Sequence, residues 1–366
     1  MKITFVSHYY AFHYWGAGGT ESFVRRLAHG FKEEGDEVSL LFYGARVSGL
    51  PQPRQRGIRL HYFDKFAELL SFIETGDFGH VITVYIRRED RLRYAFLRQT
   101  LRKRIQFHVL HLGWHPKPWG RILRLFEICL APYNGFVFTI SPRLNREASR
   151  GTNRVIQIWP SVPDNYFLSP QVKSTKNGLQ VCFIGRLDPG KGIYEALDIL
   201  RFFQQHFGAT CLIYGLYSEN SPDTMTLHQR LQDTPEVTYI AMKREAYSED
   251  IEDKMRQVLH QTDILVLPYR TLSSSIDTPL LLLEGMASLC AIITTDQSHI
   301  PEVYGHSPFL INGGLENWKH QLQDMSTQEL MRLIQTERNR LWQQNQKFDF
   351  GASSVVRSVR DALVNG

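Results

Sequence analysis

The 366-residue sequence has no apolar run approaching the roughly 20 residues that a membrane-spanning helix needs. It opens MKITFVSHYYAFHYWG, one lysine and then a short apolar patch broken by His and Tyr, which lacks the h-region of a secretory signal. The expected location is therefore cytoplasmic. Cysteine is sparse: Cys129, Cys182, Cys211 and Cys290 include no C-x-x-C pair. That argues against a zinc ribbon or a disulfide framework and for buried thiols in a reducing compartment. Two further absences concern phosphate chemistry. GRLDPGKG, from Gly185, follows the ATP-binding P-loop pattern until its last place, where Gly192 stands instead of the Ser or Thr that would ligate Mg²⁺. In YWGAGGTES, counting from Gly16, the third glycine of a dinucleotide fingerprint falls on Glu21, which disfavours NAD. No D-x-D segment is placed to chelate a metal-diphosphate either.

What is present is globular. Apolar residues make up 43% and aromatics 12%, and the length calls for two domains. The net charge of +5 is uneven: residues 1–165 carry 24 basic and 14 acidic residues, the remainder 18 and 23. Much of the excess lies in YIRREDRLRYAFLRQTLRKR, Tyr85 to Arg104, where Leu92, Phe96, Leu97 and Leu101 fall at near-helical spacing among arginines. This reads as an amphipathic helix with a buried apolar side and a solvated basic side. Its alternative use is peripheral contact with an anionic membrane surface or a polyanion. No nucleic-acid module accompanies it, so nucleic acid is not expected.

Strand-like apolar runs alternate with helical patterns in both halves: KITFVS, EVSLLFY, HVITVYI, QFHVLHL and GFVFTIS, then LQVCFIG, TCLIYG, VTYIAM, ILVLPY and CAIITTD. Such alternation implies α/β architecture with doubly wound parallel sheets. The proline-rich segment Trp159 to Gly178 reads as the linker. Ligands in such sheets bind beyond the carboxyl ends of the strands, so residues that follow strands are the candidates.

Three clusters qualify. FIGRLDPGKG places Arg186 and Lys191 between a strand and a helix N-terminus, an anion-favouring position that could hold a diphosphate without metal. Gly16, Gly18 and Gly19 open the first helix, where backbone N–H groups can approach a ligand closely. TPLLLLEGMA buries Glu284 among leucines, which costs several kcal/mol unless the carboxylate is paired or bound. His108, His111 and His115 in FHVLHLGWHP suggest metal, yet His108 and His111 point to opposite faces of a strand and no carboxylate or thiol lies nearby in sequence. A single histidine at the strand end suits a hydrogen bond to a polar ligand instead.

Taken in order, these segments resemble the family 4 glycosyltransferases, which have the GT-B fold: two Rossmann-like domains facing across a cleft, with a nucleotide-sugar donor and retention of configuration. GAGGTESFVRRLAHGFKEEGDEV is similar to the family's Gly-Gly loop and first helix, FIGRLDPGKGIYEALDIL to its donor-diphosphate segment, and DILVLPY with TPLLLLEGMASLCAIITTD and IPEV to its nucleotide-ribose segment. FDFGASSVVRSVRDAL resembles the C-terminal helix that returns to the first domain. The resemblance implies an acceptor-side domain, 1–165, completed by 350–366, and a donor-binding domain, 166–349. It implies that Arg186 and Lys191 bind the donor pyrophosphate in place of Mg²⁺, with Gly18 and Gly19 presenting N–H groups to the same phosphates. Glu284 would accept from the ribose hydroxyls, the backbone of Thr278, Pro279, Leu280 and Leu281 would line sugar and phosphate, and Ile240, Ala241 and Met242 would flank the base. His111, with His115 second, would face the donor sugar. The family pattern E-x₇-E asks for an acidic residue at the position of Ile276; Asp277 is its neighbour. The expected activity is transfer from a UDP- or GDP-linked sugar to a saccharide or lipid-linked acceptor in polysaccharide, lipopolysaccharide or glycolipid synthesis, with no cofactor and no metal. A non-catalytic or partner-dependent relative and a nucleotide-sugar 2-epimerase are the alternatives.

Overall fold

A computed structural model describes residues 1–12, 16, 18–44, 57–113, 118–120, 122, 129, 132–173, 178–219, 221–243, 249–272 and 275–365. The chain divides into two compact units. The first comprises Met1–Ser161, Ser275–Thr278 and Phe350–Gly366; the second comprises Val162–Ser274 and Pro279–Asp349.

The first unit holds a seven-stranded sheet: β1 (Lys2–His8), β2 (Glu37–Tyr43), β3 (Arg59–Phe63), β4 (His80–Tyr85), β5 (Gln106–His111), β6 (Val137–Thr139) and β7 (Val155–Gln157), in the order β3-β2-β1-β4-β5-β6-β7. Every pairing is parallel. Central β1 is buried on both faces from Ile3 to His8, which is why it reads as a continuous apolar run rather than an alternating one. Around the sheet lie α1 (Gly19–Glu33), α2 (Phe66–Thr75), α3 (Arg91–Leu101) and α4 (Pro142–Ala148). Helix α3 buries only part of the stripe that its spacing suggests. Leu97 is buried with Tyr94 and Arg98, the Arg98 guanidinium stacked 3.6 Å over the Tyr133 ring, and Leu101 packs half-buried on the core, while Leu92 and Phe96 point to solvent.

The second unit repeats the plan with six parallel strands: β8 (Gln180–Arg186), β9 (Thr210–Tyr217), β10 (Thr238–Lys243), β11 (Ile264–Leu267), β12 (Ala291–Thr295) and β13 (Leu310–Ile311), ordered β10-β9-β8-β11-β12-β13. Its helices are α5 (Ile193–Phe207), α6 (Pro222–Gln232), α7 (Glu249–Gln261), α8 (Leu280–Ala287), α9 (Ile300–Tyr304), α10 (Leu315–Gln323) and α11 (Thr327–Asn345). Helix α5 packs Ile193, Ala196, Leu200, Phe203 and Phe207 onto the sheet, spaced by three or four residues. Each of the Ile, Leu and Phe side chains contributes roughly 1.5–3 kcal/mol when fully buried. Gly208, at φ 61°, ends the helix in the left-handed conformation that terminates many helices.

The proline-rich segment after Ser161 is not a loose tether. Tyr166 is buried and donates its hydroxyl to the Glu252 carbonyl at 2.9 Å, and the Leu168 N–H bonds to the Ala287 carbonyl, so the segment is part of the second unit. The last helix, α12 (Ala352–Asn365), belongs to the first unit, where it lies on α1. Gly30 permits that approach, since a Cβ there would fall 2.3 Å from Val356 Cγ2. Arg360 completes the contact at 3.2 Å from the buried Asp36 carboxylate.

Candidate active site

In both sheets the strand order reverses beside the first strand, between β1 and β4 and between β8 and β11. Ligands of open α/β sheets bind at this switch point, beyond the carboxyl ends of the strands. In the second unit, Arg186 ends β8 and Tyr269 follows β11.

Between β8 and α5 the chain makes a short 3₁₀ turn, Pro189–Lys191. Asp188 starts it, its Oδ1 accepting from the Gly190 N–H at 2.8 Å, and Pro189 occupies the first position, where a missing N–H costs nothing. The Gly190 carbonyl accepts from Arg270 N–H at 3.1 Å and Thr271 N–H at 3.2 Å, tying the turn to the segment after β11. Gly192 sits at φ 76°, and a Cβ there would lie 1.9 Å from the Pro268 carbonyl oxygen. A serine or threonine has no room at 192. The turn differs from a P-loop by construction, because the neighbouring strand's backbone occupies the space of the Mg²⁺-binding hydroxyl.

Arg186 ends β8 and Lys191 closes the turn, near enough for the guanidinium to act on the amine. Burial and then the charge of Arg186 bring the Lys191 amine down to about 8, against the opposing pull of Asp188. The amine lies 5.0 Å from the centroid of the Tyr269 ring. Arg186 is 3.9 Å from Asp188 Oδ2, at the outer limit of an ion pair. Tyr269 is buried; desolvation and the negative charge of Glu284 raise its phenol, and Arg186 opposes them. Arg186, Lys191, Tyr269 and Glu284 thus share one electrostatic neighbourhood. Glu284 reaches it from α8, which packs on β11 so tightly that a Cβ on Gly285 would meet Leu265 at 2.6 Å. Ile240, Ala241 and Met242 lie on the edge strand β10, and Met242 is in register with Leu216, which pairs in turn with Arg186. Two inter-strand spacings, about 10 Å, separate Met242 from Arg186.

Pro279 precedes α8, and Leu280 and Leu281 form its first turn. The four residues before them, Ser275–Thr278, belong to the first unit. The Asp277 N–H bonds to the Leu112 carbonyl at 2.8 Å, and its carboxylate is engaged by Arg143 and the Ser141 hydroxyl. The Thr278 hydroxyl donates to the Ile140 carbonyl at 2.7 Å. Ile276 is buried, and a Cβ on Gly19 would fall 3.4 Å from it. Asp277 therefore anchors its own segment, and the place of the expected acidic residue is an apolar contact.

In the first unit, Gly18 caps α1 and Gly19 is its first residue. Arg25 Nη1 donates to the Gly16 carbonyl at 3.2 Å, fixing the loop. The Glu21 side chain folds back over it: a Cβ on Gly18 would lie 2.3 Å from Glu21 Oε2. Glu21 thus fills the space that the third glycine of a dinucleotide fingerprint leaves open. His111 ends β5 and is buried, its Nε2 3.7 Å from Glu147 Oε2 of α4. That partner stands 36 positions away, out of reach of a search along neighbouring sequence. His108 is a core residue, its Nε2 3.3 Å from His80 Nδ1 and its Nδ1 accepting from the Phe136 N–H; desolvation pushes it down to about 3. His115 lies outside the described residues. Among the described residues no group of three His, Cys, Asp or Glu could hold a metal ion.

Two parallel sheets, each with its strand order reversing beside the first strand, make the GT-B fold shared with the solved glycosyltransferases to which this chain is similar. The model of the family described as glycosyl transferases group 1 matches residues 178–328, within the second unit apart from Ser275–Thr278. Among solved structures, HepE of Anabaena in complex with UDP is similar over 100% of both chains, with 14% identity and a TM-score of 0.71. Sucrose-phosphate synthase of Thermosynechococcus elongatus is similar over 99% of this chain and 98% of its own, with 15% identity and a TM-score of 0.68. HepE in complex with UDP-glucose matches over 100% of both chains at 13% identity and a TM-score of 0.69. At such identity the likeness is one of fold. No curated protein sequence matches the chain significantly.

Proposed function

We propose that this glycosyltransferase moves a sugar from a UDP- or GDP-linked donor to an acceptor hydroxyl with retention of configuration and without a metal ion. The observation that carries the reading is a turn that brings Lys191 beside Tyr269, just after Arg186 at the end of β8, and in which the Pro268 carbonyl leaves no room for a side chain at Gly192. A diphosphate leaving group gains negative charge as the glycosidic bond breaks, and two fixed cations in a partly desolvated site stabilise that charge more than the ground state. Glu284 then accepts from the ribose hydroxyls, and Met242 with its neighbours on β10 flanks the base. Within the first unit, the N–H groups of Gly18 and Gly19 at the start of α1, and His111 beside Glu147, are the candidates for hydrogen bonds to a polar ligand. The acceptor hydroxyl attacks from the face that the phosphate leaves. The acceptor is a saccharide or lipid-linked sugar, as in polysaccharide, lipopolysaccharide or glycolipid synthesis. HepE, a protein of the same fold, is known in complex with UDP, glucose and UDP-glucose, which supports a uridine donor here.

The test is incubation with isotope-labelled UDP- and GDP-sugars and a panel of acceptors in EDTA, with the anomeric configuration of the product read by NMR. Transfer with retention in EDTA is expected. Inverted product, or transfer only after a divalent metal is restored, refutes the mechanism. Binding without transfer to any acceptor supports a partner-dependent enzyme instead.

A further inference from the structure

Helix α3 presents to solvent the residues that a water-facing helix would bury. Leu92 is 84% exposed and Phe96 76%, one turn apart on the face opposite the buried Tyr94 and Leu97. Thr100 and Lys103 continue the same stripe and are exposed, as is Arg93 at its edge. Tyr85 to Arg104 contains eight basic residues and two acidic ones. One of the acidic residues, Glu89, is already paired with Arg87 at 3.4 Å. Two further large apolar side chains, Trp119 at 75% and Ile122 at 52% exposure, stand in the connection from β5 to β6. The β4–β5 and β5–β6 connections step the same way across the sheet, so right-handed crossovers put both on one face of it.

We infer that this face of the first unit docks on the anionic surface of a lipid bilayer, with Leu92 and Phe96 inserted at the headgroup boundary and Arg93, Arg102 and Lys103 among the headgroups. Apolar side chains in a basic collar match that environment better than a protein partner. Buried apolar area supplies one part of the binding and attraction to acidic lipids the other, and neither is sufficient alone for firm attachment. Each cation near an anionic surface gives roughly a five-fold gain in partitioning. The mode is peripheral, since no helix among the described residues is long and apolar enough to cross a membrane. Membrane docking does not depend on the sugar-transfer reading and is tested apart from it.

The full chain is sedimented with vesicles of phosphatidylcholine alone and with vesicles in which one lipid in three is phosphatidylglycerol. Binding to the anionic vesicles is expected, falling with added salt and weak on phosphatidylcholine. Leu92→Ser with Phe96→Ser, and separately Arg93→Glu with Lys103→Glu, are each expected to lower partitioning at least about tenfold. All four side chains are exposed, so circular dichroism and Tm should be unchanged in both variants. Absence of binding to anionic vesicles at low salt, or equal binding by the serine variant, overturns the inference. A dimer in solution that the serine substitutions dissociate overturns it too, by assigning the patch to a second copy of the chain.

Discussion

Replacing Lys191 by methionine separates stability from function. Burial and Arg186 depress the amine from 10.5 to about 8, and a tenfold change in proton affinity corresponds to about 1.4 kcal/mol. Keeping the amine charged at neutral pH therefore costs the folded state up to about 3 kcal/mol, an upper limit because local water screens part of it. The sign follows from linkage. The folded value lies below the unfolded one, so between pH 8 and 10.5 the unfolded chain binds more protons and the wild type gains stability as pH rises; below 8 the whole cost is present. Methionine keeps the packing over Tyr269 and gives up a cation–π contact of about 0.5–2 kcal/mol. The variant should be more stable at pH 7 by about 1–3 kcal/mol, and the difference should vanish near pH 10.5. Urea unfolding at several pH values measures this. Isothermal titration with UDP and GDP should show binding weakened about 10- to 100-fold, the effect of losing a charge-assisted hydrogen bond. A variant less stable than wild type at pH 7, with unchanged nucleotide affinity, refutes the assignment.

Three other outcomes follow from the same geometry. Gly192→Ser should destabilise the protein by about 3 kcal/mol, through left-handed strain and the clash with the Pro268 carbonyl, without conferring magnesium-dependent ATP binding; thermal unfolding and titration with MgATP check both halves. Asp277→Asn should cost about 3 kcal/mol by leaving Arg143 without its carboxylate, read as a lower urea midpoint at unchanged slope. In the wild type, UDP affinity should fall as pH rises through about 8, where free Lys191 loses its proton; Lys191→Arg should remove that fall.

The fold was legible where burial is two-sided. KITFVS, LQVCFIG and ILVLPY are continuous apolar runs because β1, β8 and β11 are central strands. Edge and short strands were not legible: RLHYF of β3 is half-buried and polar-spaced, and β7 and β13 span only three and two residues. Arg186 and Lys191 were visible because their turn is local. Tyr269 joined them only through the pairing of β11 with β8, and Glu147 and Arg143 reached His111 and Asp277 through tertiary packing. Helix α3 misled for a related reason. Spacing identifies which residues share a stripe, and the sheet decides how much of it is covered.

In the proposed mechanism two side-chain cations hold a nucleotide diphosphate without metal. Calorimetric titration of UDP and GDP in EDTA, into wild type and into Arg186→Ala with Lys191→Met, tests it most directly. At least one nucleotide should bind the wild type in EDTA, and most of that binding should be lost in the double variant. Affinity that requires added magnesium, or survives intact without both cations, contradicts the mechanism.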